Sequence, residues 1–366
     1  MAYTPAMVEL GHAAKAMVLV EPRQLAATKI PSQPVAAGGW LAVEATAISG
    51  ADVQAWHGER REVQYPLIPG HQVVGRIAVK DDSIPYEVGT RVVLEPTIKC
   101  GHCSRCRLGL ATCQFRKPSN TYGLIPSTEP PALWGGMAEY LYIDPAATIH
   151  LVTDDVPAEV ATSVHSLATG YTWAVELPNL KPGERVLVLG PGPRGLACVL
   201  AAKAAGASWV GVTGLSHDRD RLELAEKLGA DITIDVERHP DIAGVVADST
   251  GQRPDVVIDV TSDDPEAVFQ AFDIVRSGGR VILASTKGNR ALHFFSDVIV
   301  SKQLTVKGAV GASTDSYRWA TQRLATDERV DDLVSHQFPL EEAQRAMQAA
   351  AGLLGHDELI AVAVTF

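Results

Sequence analysis

Short runs of alternating apolar and polar residues dominate the chain up to about residue 155, and such runs are typical of half-buried β-strands. Clusters of glycine and proline at 37–39 and 66–70 favour turns between them. The predicted strands are 16–20, 40–49, 73–79 and 91–94. The segment 100–127 has no such periodicity, so we predict a loop there that something other than a hydrophobic core holds in place.

From about residue 156 onward, apolar runs alternate with stretches of helical periodicity. The apolar runs are continuous in Val, Ile and Leu, which indicates parallel strands covered by helices on both faces. The predicted strands are 185–189, 209–213, 255–260, 280–284 and 304–307, and the predicted helices are 194–205, 218–228 and 265–275. An amphipathic helix from about residue 316 and a strand at 359–365 are expected to follow. The pattern therefore predicts an α/β protein, with a β-rich part and a doubly wound parallel sheet.

Composition and charge restrict the classes of function. The chain has 366 residues, of which 46% are hydrophobic and 20% charged, so we expect a buried core in roughly two domains. The net charge of -11 argues against a nucleic-acid binder and against a partner of anionic membranes, because both need a basic surface. Glu9, His12 and Lys15 stand where a signal peptide would be apolar, and no run of ~18 apolar residues follows. We therefore expect a cytoplasmic protein whose partner is a small molecule.

A glycine-rich turn after the strand at 185–189 is the strongest local signal for ligand binding. Gly190, Gly192 and Gly195 form the pattern G-x-G-x-x-G between an apolar strand and an Ala-rich helix. In that context the first glycine makes a tight turn, the second lets a pyrophosphate approach the backbone, and the third lets the helix pack against the strand. The helix N-terminus, with Pro193 and Arg194, offers free N–H groups to phosphates. We predict a dinucleotide site here, and a plain turn is the alternative.

The end of the next strand bears on which dinucleotide binds. NAD-binding proteins usually carry Asp or Glu there, which accepts a hydrogen bond from the ribose 2′-hydroxyl. Here the strand ends in Thr213 and Gly214, without a carboxylate. The donors that follow are Ser216, Arg219 and Arg221, and they can bind a 2′-phosphate, so NADP(H) is favoured over NAD(H). The alternative is that both arginines are ordinary solvated helix residues.

Four of the five cysteines lie close together, at Cys100, Cys103, Cys106 and Cys113. Gaps of two residues let successive thiolates converge on one tetrahedral zinc ion, and four thiolates leave no coordination position for a substrate. In a long chain without a signal peptide, such a cluster indicates a metal site rather than disulfides. We therefore predict a structural zinc ion, with unliganded or partly oxidised thiols as the alternative.

Several further motifs occur in an order that resembles the zinc-containing alcohol, polyol and threonine dehydrogenases of the medium-chain dehydrogenase/reductase superfamily. They are the sequences GHQVVG from Gly70, GGMAEY from Gly135 and ATGY from Ala168. The cysteine cluster lies between the first two, and the glycine-rich turn follows the third. The resemblance covers essentially the whole chain.

This resemblance implies a division into two domains. One is a GroES-like catalytic domain at 1–157 and 315–366, including the zinc lobe at 100–113, and the other is a Rossmann dinucleotide-binding domain at 158–314. It further implies an active site in a cleft, a cofactor contact at Thr169, and a homodimer or homotetramer.

The positions that hold a catalytic zinc ion in such relatives are altered here. The resemblance places the first ligand, a cysteine in the family, at Ser49. It places the second at His71, where Gln72 replaces a glutamate, and the third at His165. A neutral hydroxyl is a poor zinc ligand compared with a thiolate, and two histidines alone rarely hold zinc tightly. We therefore predict no conventional catalytic zinc, with a site of His71, His165 and an acid or water as the alternative.

These expectations lead to a hypothesis about the reaction. Without zinc, polarisation of the substrate must come from elsewhere or be unnecessary, and an activated C=C bond or an iminium is already electron-poor. We predict an NAD(P)(H)-dependent oxidoreductase that transfers hydride to or from a small organic substrate of that kind, or a carbonyl. The predicted catalytic residues are Ser49, Asp52, His71 and His165, although Asp52 is equally expected as a structural hydrogen-bonding residue. A conventional zinc-dependent alcohol or polyol dehydrogenase and a non-catalytic NADPH-binding sensor are the alternatives.

Overall fold

Two compact units make up the computed structural model of the protein, which describes residues 7–115, 120–262, 264–288, 290–293, 295–355 and 359–366. The first unit comprises Met1–His165, Thr321–Gly355 and Ala361–Phe366, and the second comprises Ser166–Ala320 and His356–Ile360. The Rossmann segment predicted at 158–314 begins and ends a few residues earlier than the second unit. None of the described helices is long and apolar enough to cross a membrane.

The strands and helices are numbered along the chain. The strands are β1 (Ala14–Glu21), β2 (Gln24–Ile30), β3 (Gly39–Ala47), β4 (Gln72–Lys80), β5 (Arg91–Leu94), β6 (Tyr140–Ile143), β7 (Ile149–Leu151), β8 (Arg185–Leu189), β9 (Trp209–Gly214), β10 (Ile232–Asp235), β11 (Val256–Asp259), β12 (Arg280–Leu283), β13 (Thr305–Gly308), β14 (His336–Pro339) and β15 (Val362–Thr365). The α-helices are α1 (Gly50–His57), α2 (Ser104–Arg107), α3 (Ala158–Ala161), α4 (Val164–Tyr171), α5 (Pro193–Ala204), α6 (Arg219–Lys227), α7 (Ile242–Thr250), α8 (Glu266–Ile274), α9 (Asp297–Ser301), α10 (Thr314–Thr326) and α11 (Ala343–Ala350). A π-helical turn, Thr172–Glu176, follows α4, and 3-10 turns occur at Ser216–Asp218, Glu328–Leu333 and Leu340–Glu342.

The first unit contains a mixed sheet to which early and late parts of the chain both contribute. Its strand order is β14-β15-β3-β4-β5-β7, and β6 pairs with β3. β15 lies antiparallel to β3, with Val364 opposite Thr46. β3 also lies antiparallel to β4, and its last residue, Ala47, is opposite Gln72, the first residue of β4. The segment after β3 and the segment before β4 therefore lie at the same edge of the sheet, and these two segments carry Ser49 and His71.

The second unit contains a parallel sheet with the strand order β10-β9-β8-β11-β12-β13. The chain runs outward from β8 to β10 on one side and from β11 to β13 on the other, so the strand order reverses between β8 and β11. In β11 all four residues are buried, as expected for a strand that helices cover on both faces. Ligands of open α/β sheets bind at the carboxyl ends of the strands where the order reverses. The predicted doubly wound parallel sheet is confirmed, and its ligand crevice is expected between β8 and β11.

The structure also corrects some of the predicted elements. β5 and β8 have the predicted bounds, because a continuous buried apolar run marks each of them. The strand predicted at 40–49 ends at Ala47, because Ser49 already caps helix α1. β2 was not predicted, since all of its residues except Ile30 are exposed or half-buried and the strand carries no buried apolar run.

Candidate active site and metal centre

Ser49 begins helix α1 as its N-cap residue, with an extended backbone. Its hydroxyl oxygen accepts hydrogen bonds from the backbone N–H groups of Ala51 (3.1 Å) and Asp52 (3.4 Å). The hydroxyl donates to Oδ2 of Asp52 at 2.7 Å, and the same carboxylate oxygen accepts from the Ser49 N–H at 2.9 Å. This reciprocal capping fixes both side chains at the helix N-terminus. The Ser49 hydroxyl therefore has a structural role at the start of this helix.

Asp52 is the centre of this group and is almost fully buried. Its second oxygen, Oδ1, accepts from the backbone N–H of Gly70 at 3.0 Å and lies 3.3 Å from Nδ1 of His71. Burial by itself raises the pKa of the Asp52 carboxyl, but the charge and hydrogen bond of His71 and the hydrogen bonds from Ser49 lower it to about 2. Asp52 is therefore a carboxylate throughout the neutral pH range.

His71 lies between Asp52 and Ser49 and is buried. Its Nδ1 lies 3.3 Å from Oδ1 of Asp52, an ion-pair contact when the ring is charged, and its Nε2 faces the Ser49 hydroxyl. Nε2 lies 3.4 Å from the hydroxyl oxygen of Ser49. A carboxylate that orients an imidazole and stabilises its positive charge is an arrangement suited to general acid–base catalysis.

Of the four predicted catalytic residues, the structure brings Ser49, Asp52 and His71 into direct contact. His165 belongs to the same unit and is buried in the first turn of α4. Among the described residues, the four-cysteine cluster is the one group of three or more His, Cys, Asp or Glu residues whose ligand atoms all lie within 4.8 Å of one another. His71 and His165 do not form such a group with an acid within this part of the chain.

The buried Asp52 carboxylate makes stability depend on pH in the acid range. Because its folded pKa of about 2 is below the ordinary value of 3.8 for an aspartate, the carboxylate stabilises the fold above about pH 4, and this contribution is lost as the pH falls through 2. The difference is worth about 2 kcal/mol. We expect Asp52→Asn to lower the free energy of unfolding in urea by about that amount at pH 7. The difference in free energy of unfolding between this variant and the wild type should become smaller between about pH 4 and 2.

The exposed Asp82→Asn is the matched control, and it should leave the free energy of unfolding near the wild-type value at every pH. A gap between wild type and Asp52→Asn that stays constant down to pH 2 would show that the carboxylate charge is not what stabilises the group.

The four cysteines of the segment 100–113 converge as predicted. All are free thiols, their sulfur atoms lie within 4.8 Å of one another, and Sγ of Cys100 is 3.8 Å from Sγ of Cys106. Tetrahedral Zn–S bonds of ~2.3 Å place the sulfurs about 3.8 Å apart, so the cluster has the dimensions of a zinc site. The neighbouring His102 is exposed, and its Nδ1 lies 2.8 Å from the carbonyl oxygen of Cys100, outside the cluster.

Backbone N–H groups prepare these sulfurs for metal binding. Sγ of Cys100 accepts from the N–H of Cys103, and Sγ of Cys103 accepts from the N–H of Cys106, each at 3.4 Å. A backbone hydrogen bond from Gln114, opposed by burial, is the largest cause that lowers the pKa of Cys103, to about 6. Such donors stabilise thiolates, which are the form that binds zinc. The donor set and its geometry fit a structural zinc ion.

The glycine-rich turn has the geometry that a dinucleotide needs. Gly190 has a φ of +103°, which favours glycine. A Cβ atom on Gly195 would lie 2.0 Å from the carbonyl oxygen of Gly190, so the turn and helix α5 touch where only glycine fits. A Cβ on Gly192 would meet nothing within 4 Å. Gly192 caps α5 without a side-chain hydrogen bond, and Pro193 follows it, so the first N–H groups of α5 are available to phosphates.

Arg194, in the first turn of α5, lies against an aromatic ring that sequence reasoning missed. Its guanidinium carbon is 5.5 Å from the centre of the Trp173 ring, within the range of a cation–π contact. Trp173 is buried in the π-helical turn and donates its indole N–H to the carbonyl oxygen of Gly311 at 3.1 Å. The sequence offers no local signal for this pairing, because the two residues come from different elements.

Thr169 and Thr213, the other predicted cofactor contacts in this unit, are both buried. Thr169 lies in α4 beside Gly170, and a Cβ on Gly170 would lie 2.5 Å from the backbone carbon of Ala197 in α5. Thr213 lies near the end of β9, and its carbonyl oxygen accepts from the N–H of Gly190 at 3.2 Å. Both residues are therefore next to elements that form the glycine-rich turn.

The donors predicted for a 2′-phosphate differ in their surroundings. The Ser216 hydroxyl donates to Asp235 at 2.7 Å. Arg221 binds the carbonyl oxygen of Leu359 at 2.7 Å and a carboxylate oxygen of Asp218 at 3.0 Å. The Arg219 side chain is 79% exposed. Asp218 precedes α6 as its N-cap residue without a side-chain cap hydrogen bond, and its carboxylate instead accepts from the N–H of Leu215 at 3.0 Å.

The end of β9 cannot hold a carboxylate without rearrangement. A Cβ on Gly214 would lie 2.9 Å from Cγ of Pro191 and 3.1 Å from Cδ2 of Leu222. The missing acid at this position is thus a consequence of how closely the glycine-rich turn packs on the strand.

The fold and the candidate site together are those of the nicotinamide-dependent dehydrogenases. One unit has a parallel sheet with a glycine-rich turn, and the other is β-rich with a four-cysteine lobe and a buried histidine. Residues 40–154 match the family model of the alcohol dehydrogenase GroES-like domain, and residues 193–326 match that of the zinc-binding dehydrogenases. The chain belongs to the zinc-type medium-chain dehydrogenases/reductases, the family of the alcohol dehydrogenases.

Known proteins of this family are similar over nearly the whole chain. A Mycobacterium tuberculosis protein named probable alcohol dehydrogenase is 37% identical over 360 residues, which are 96% of this chain and 94% of the relative. The erythritol/L-threitol dehydrogenase of Mycolicibacterium smegmatis is 32% identical, covering 85% of this chain and 86% of the relative. The crystal structure of an alcohol dehydrogenase from Thermotoga maritima has a TM-score of 0.86 and 26% identity, over 97% of this chain and 100% of that one. The protein is thus an NAD(P)-dependent oxidoreductase of the alcohol and polyol dehydrogenase type that acts on a small molecule.

Proposed function

We propose that this oxidoreductase transfers hydride without a catalytic zinc ion and that Ser49, Asp52 and His71 act where its relatives hold the metal. The observation that carries the proposal is the contact geometry of these three residues. Asp52 and His71 form a buried carboxylate–imidazole pair, and a hydroxyl stands where a thiolate ligand would be needed. A catalytic zinc site needs three protein ligands, and the cysteine lobe is the one cluster of that size among the described residues.

The reaction follows from the chemistry of these groups. A bound nicotinamide cofactor supplies the hydride to an electron-poor carbon of the substrate. His71 holds a proton on Nε2 and delivers it to the oxygen or carbon where negative charge develops. Asp52 keeps the ring oriented and offsets its charge, and Ser49 holds Asp52 in place. Without a Lewis acid the proposed substrates are activated alkenes, iminium compounds and reactive carbonyls, because they need the least polarisation.

The proposed cofactor is NADP(H), held by the glycine-rich turn. Gly214 provides no carboxylate to bind a ribose 2′-hydroxyl or to repel a 2′-phosphate, and Arg219 offers an exposed cation nearby in the chain. Ser216 and Arg221 donate to protein acceptors at 2.7 Å, whereas the exposed Arg219 makes only longer ion pairs, with Asp220 at 3.5 Å and Glu223 at 3.7 Å, so the preference rests most on Arg219. At the turn itself, the free N–H groups of α5 and the Arg194 guanidinium are the groups proposed to bind the pyrophosphate.

The first experiment is zinc analysis by elemental mass spectrometry on protein purified without chelator, together with titrations of NADPH and NADH. We expect about one zinc per chain, because the four-cysteine lobe binds one ion. We also expect NADPH to bind more tightly than NADH. About two zinc ions per chain would overturn the proposal. They would make His71 and His165 metal ligands and direct the substrate search to alcohols and polyols.

A panel of enones, iminium compounds, carbonyls, alcohols and polyols completes this test. Turnover of the first three classes by protein with a single zinc ion supports the proposal. Tight NADPH binding with no turnover of any member would instead support a non-catalytic sensor.

A further inference from the structure

A second group of charged residues lies at the carboxyl edge of the parallel sheet, where the strand order reverses. Asp259 is the last residue of β11 and pairs in register with Leu189 of β8. The residue after Leu189 is Gly190, so Asp259 borders the glycine-rich turn on the side away from β9. Lys287, from the segment after β12, reaches this point, and its side chain is 8% exposed beside the fully buried Asp259 side chain.

The Lys287 ammonium connects the segments that follow β11 and β12. Nζ lies 2.9 Å from Oδ2 and 3.1 Å from Oδ1 of Asp259, and it also donates to the carbonyl oxygen and, at 2.9 Å, the hydroxyl oxygen of Thr261. The N–H and hydroxyl of Thr261 donate to Oδ1 of Asp259 at 3.0 Å and 2.6 Å. The donors of the ammonium are thus directed at protein atoms, and Thr261 is held through both its backbone and its side chain.

Thr261 in turn packs against the glycine-rich turn. A Cβ on Gly190 would lie 3.1 Å from Cγ2 and 3.4 Å from the backbone nitrogen of Thr261. A Cβ on Gly195 would lie 3.2 Å from Cγ2 of Val260. The segment from Asp259 to Thr261 therefore forms one wall of the crevice between β8 and β11.

A buried ion pair is a weak means of stabilising a fold, because desolvation of both charges offsets their attraction. Its value here is that it fixes the position of the wall. A doubly wound sheet binds the two nucleotides of its cofactor with its two halves, and the glycine-rich turn with the strand that follows it takes the adenosine half. The other half of this sheet begins at β11, so the nicotinamide half of the cofactor lies on the side of Thr261.

We propose that Thr261 lines the nicotinamide half of the cofactor site and that Lys287 and Asp259 are positioning residues that hold it there. This inference rests on the proposed dinucleotide site. It predicts that loss of the ion pair weakens binding of the whole cofactor and leaves binding of its adenosine half unchanged.

The test compares two ligands in calorimetric titrations of the full-length protein. The ligands are the preferred reduced cofactor and its adenosine half, adenosine 2′,5′-bisphosphate for NADPH or ADP for NADH. For Lys287→Met we expect the Kd of the cofactor to rise about tenfold or more, because the buried Asp259 carboxylate loses its countercharge and Thr261 loses the two hydrogen bonds from Lys287. The Kd of the adenosine half should stay within about twofold of the wild-type value.

Two further variants separate positioning from stability. Lys302→Met removes the same charge at the other edge of the sheet, where Nζ binds carbonyl oxygens of Phe272 and Val275, and it should change neither affinity. Lys287→Met should also lower the unfolding temperature, because it leaves the charge of Asp259 buried without a partner. The double variant Lys287→Met with Asp259→Leu removes both charges, so it should recover much of that loss of thermal stability. Its cofactor affinity should stay low, because Thr261 is still not held.

If Lys287→Met weakened the binding of both ligands equally, the ion pair would merely support the glycine-rich turn. If it weakened the binding of neither, the ion pair would have no role in cofactor binding. A double variant that recovers cofactor affinity together with stability would also overturn the proposal. Wild-type protein that binds neither ligand would contradict the proposed cofactor, whereas equal affinity for both ligands would contradict only the inference, because the nicotinamide half would then add nothing to binding.

Discussion

Cys103→Ser is expected to reduce the zinc content from about one ion per chain to nearly none and to lower the thermal stability of the first unit. Structural zinc binding is worth about 10–16 kcal/mol in small metal-dependent domains, far more than a single hydrogen bond. The folded lobe depends on the zinc ion, because the segment 100–113 contains one short helix, α2, and little apolar packing. Leu108 and Leu110 within the segment and Phe115 just after it are exposed rather than packed in a core. Serine is a poor zinc ligand compared with a thiolate.

A substitution at Cys103 separates the effect of metal binding from the effect of capping helix α2. The Cys103 side chain also caps α2 by accepting from the N–H of Cys106, and a serine oxygen can make the same cap. A loss of stability in Cys103→Ser therefore reports the missing ligand. The measurements are zinc per chain and the unfolding temperature, with and without added zinc.

The control for this prediction is the fifth cysteine. Cys198 is fully buried in α5, and burial raises the pKa of its thiol, so it belongs to the core of the second unit. Cys198→Ala should keep about one zinc ion per chain. Retention of zinc by Cys103→Ser would show that the four-thiolate site is wrong and that another group, such as His102, completes it.

His71→Asn should lower kcat by about 10²–10⁴ and leave the Kd of the reduced cofactor unchanged. Asparagine can still donate a hydrogen bond toward Asp52, but it cannot transfer a proton at neutral pH. The Asp52 carboxylate then has no imidazole to orient. The loss should appear in kcat with the substrate that wild-type protein reduces best, because proton delivery is part of the chemical step.

His57→Asn is the matched control, since it makes the same chemical change at the end of helix α1. His57 contacts Arg23 at 3.0 Å and belongs to no part of the proposed site, so its variant should keep kcat within about twofold. Zinc content separates the two readings of His71. We expect about one ion per chain in both variants, whereas a fall from about two to about one in His71→Asn would identify His71 as a metal ligand.

Local patterns account for the parts of the fold that were predicted correctly. β5 and β8 are continuous buried runs, and the glycine-rich turn lies directly between β8 and α5, so neighbouring residues carry the whole signal. The four cysteines are equally local, since spacing alone allows their sulfurs to converge. Helix α1 was hidden, because the apolar run of β3 continues to Ile48 and the change to a helix depends on hydrogen bonds of Ser49.

In the candidate site, too, part of the arrangement was visible in the sequence and part only in the structure. The sequence indicated that Ser49, Asp52 and His71 belong together, through a family resemblance, and the structure adds that one carboxylate connects the other two. Trp173 beside Arg194 and Lys287 beside Asp259 had no signal in the sequence, because these pairs join elements that are not neighbours in the chain. The preference for NADP(H), the lack of a catalytic zinc ion and a homodimer or homotetramer stay predictions.

By itself, then, the sequence determined the α/β class, the glycine-rich turn and the convergence of the four cysteines, since periodicity, glycine and cysteine spacing act over a few residues. Only the tertiary structure decided which charges are buried together and where the wall of the cofactor crevice lies. Asp52 and His71 are 19 positions apart and Asp259 and Lys287 are 28 apart, and such pairs form when sheet register brings strand ends to one edge. Burial then makes each pair matter, because a charge removed from water requires a partner at that place.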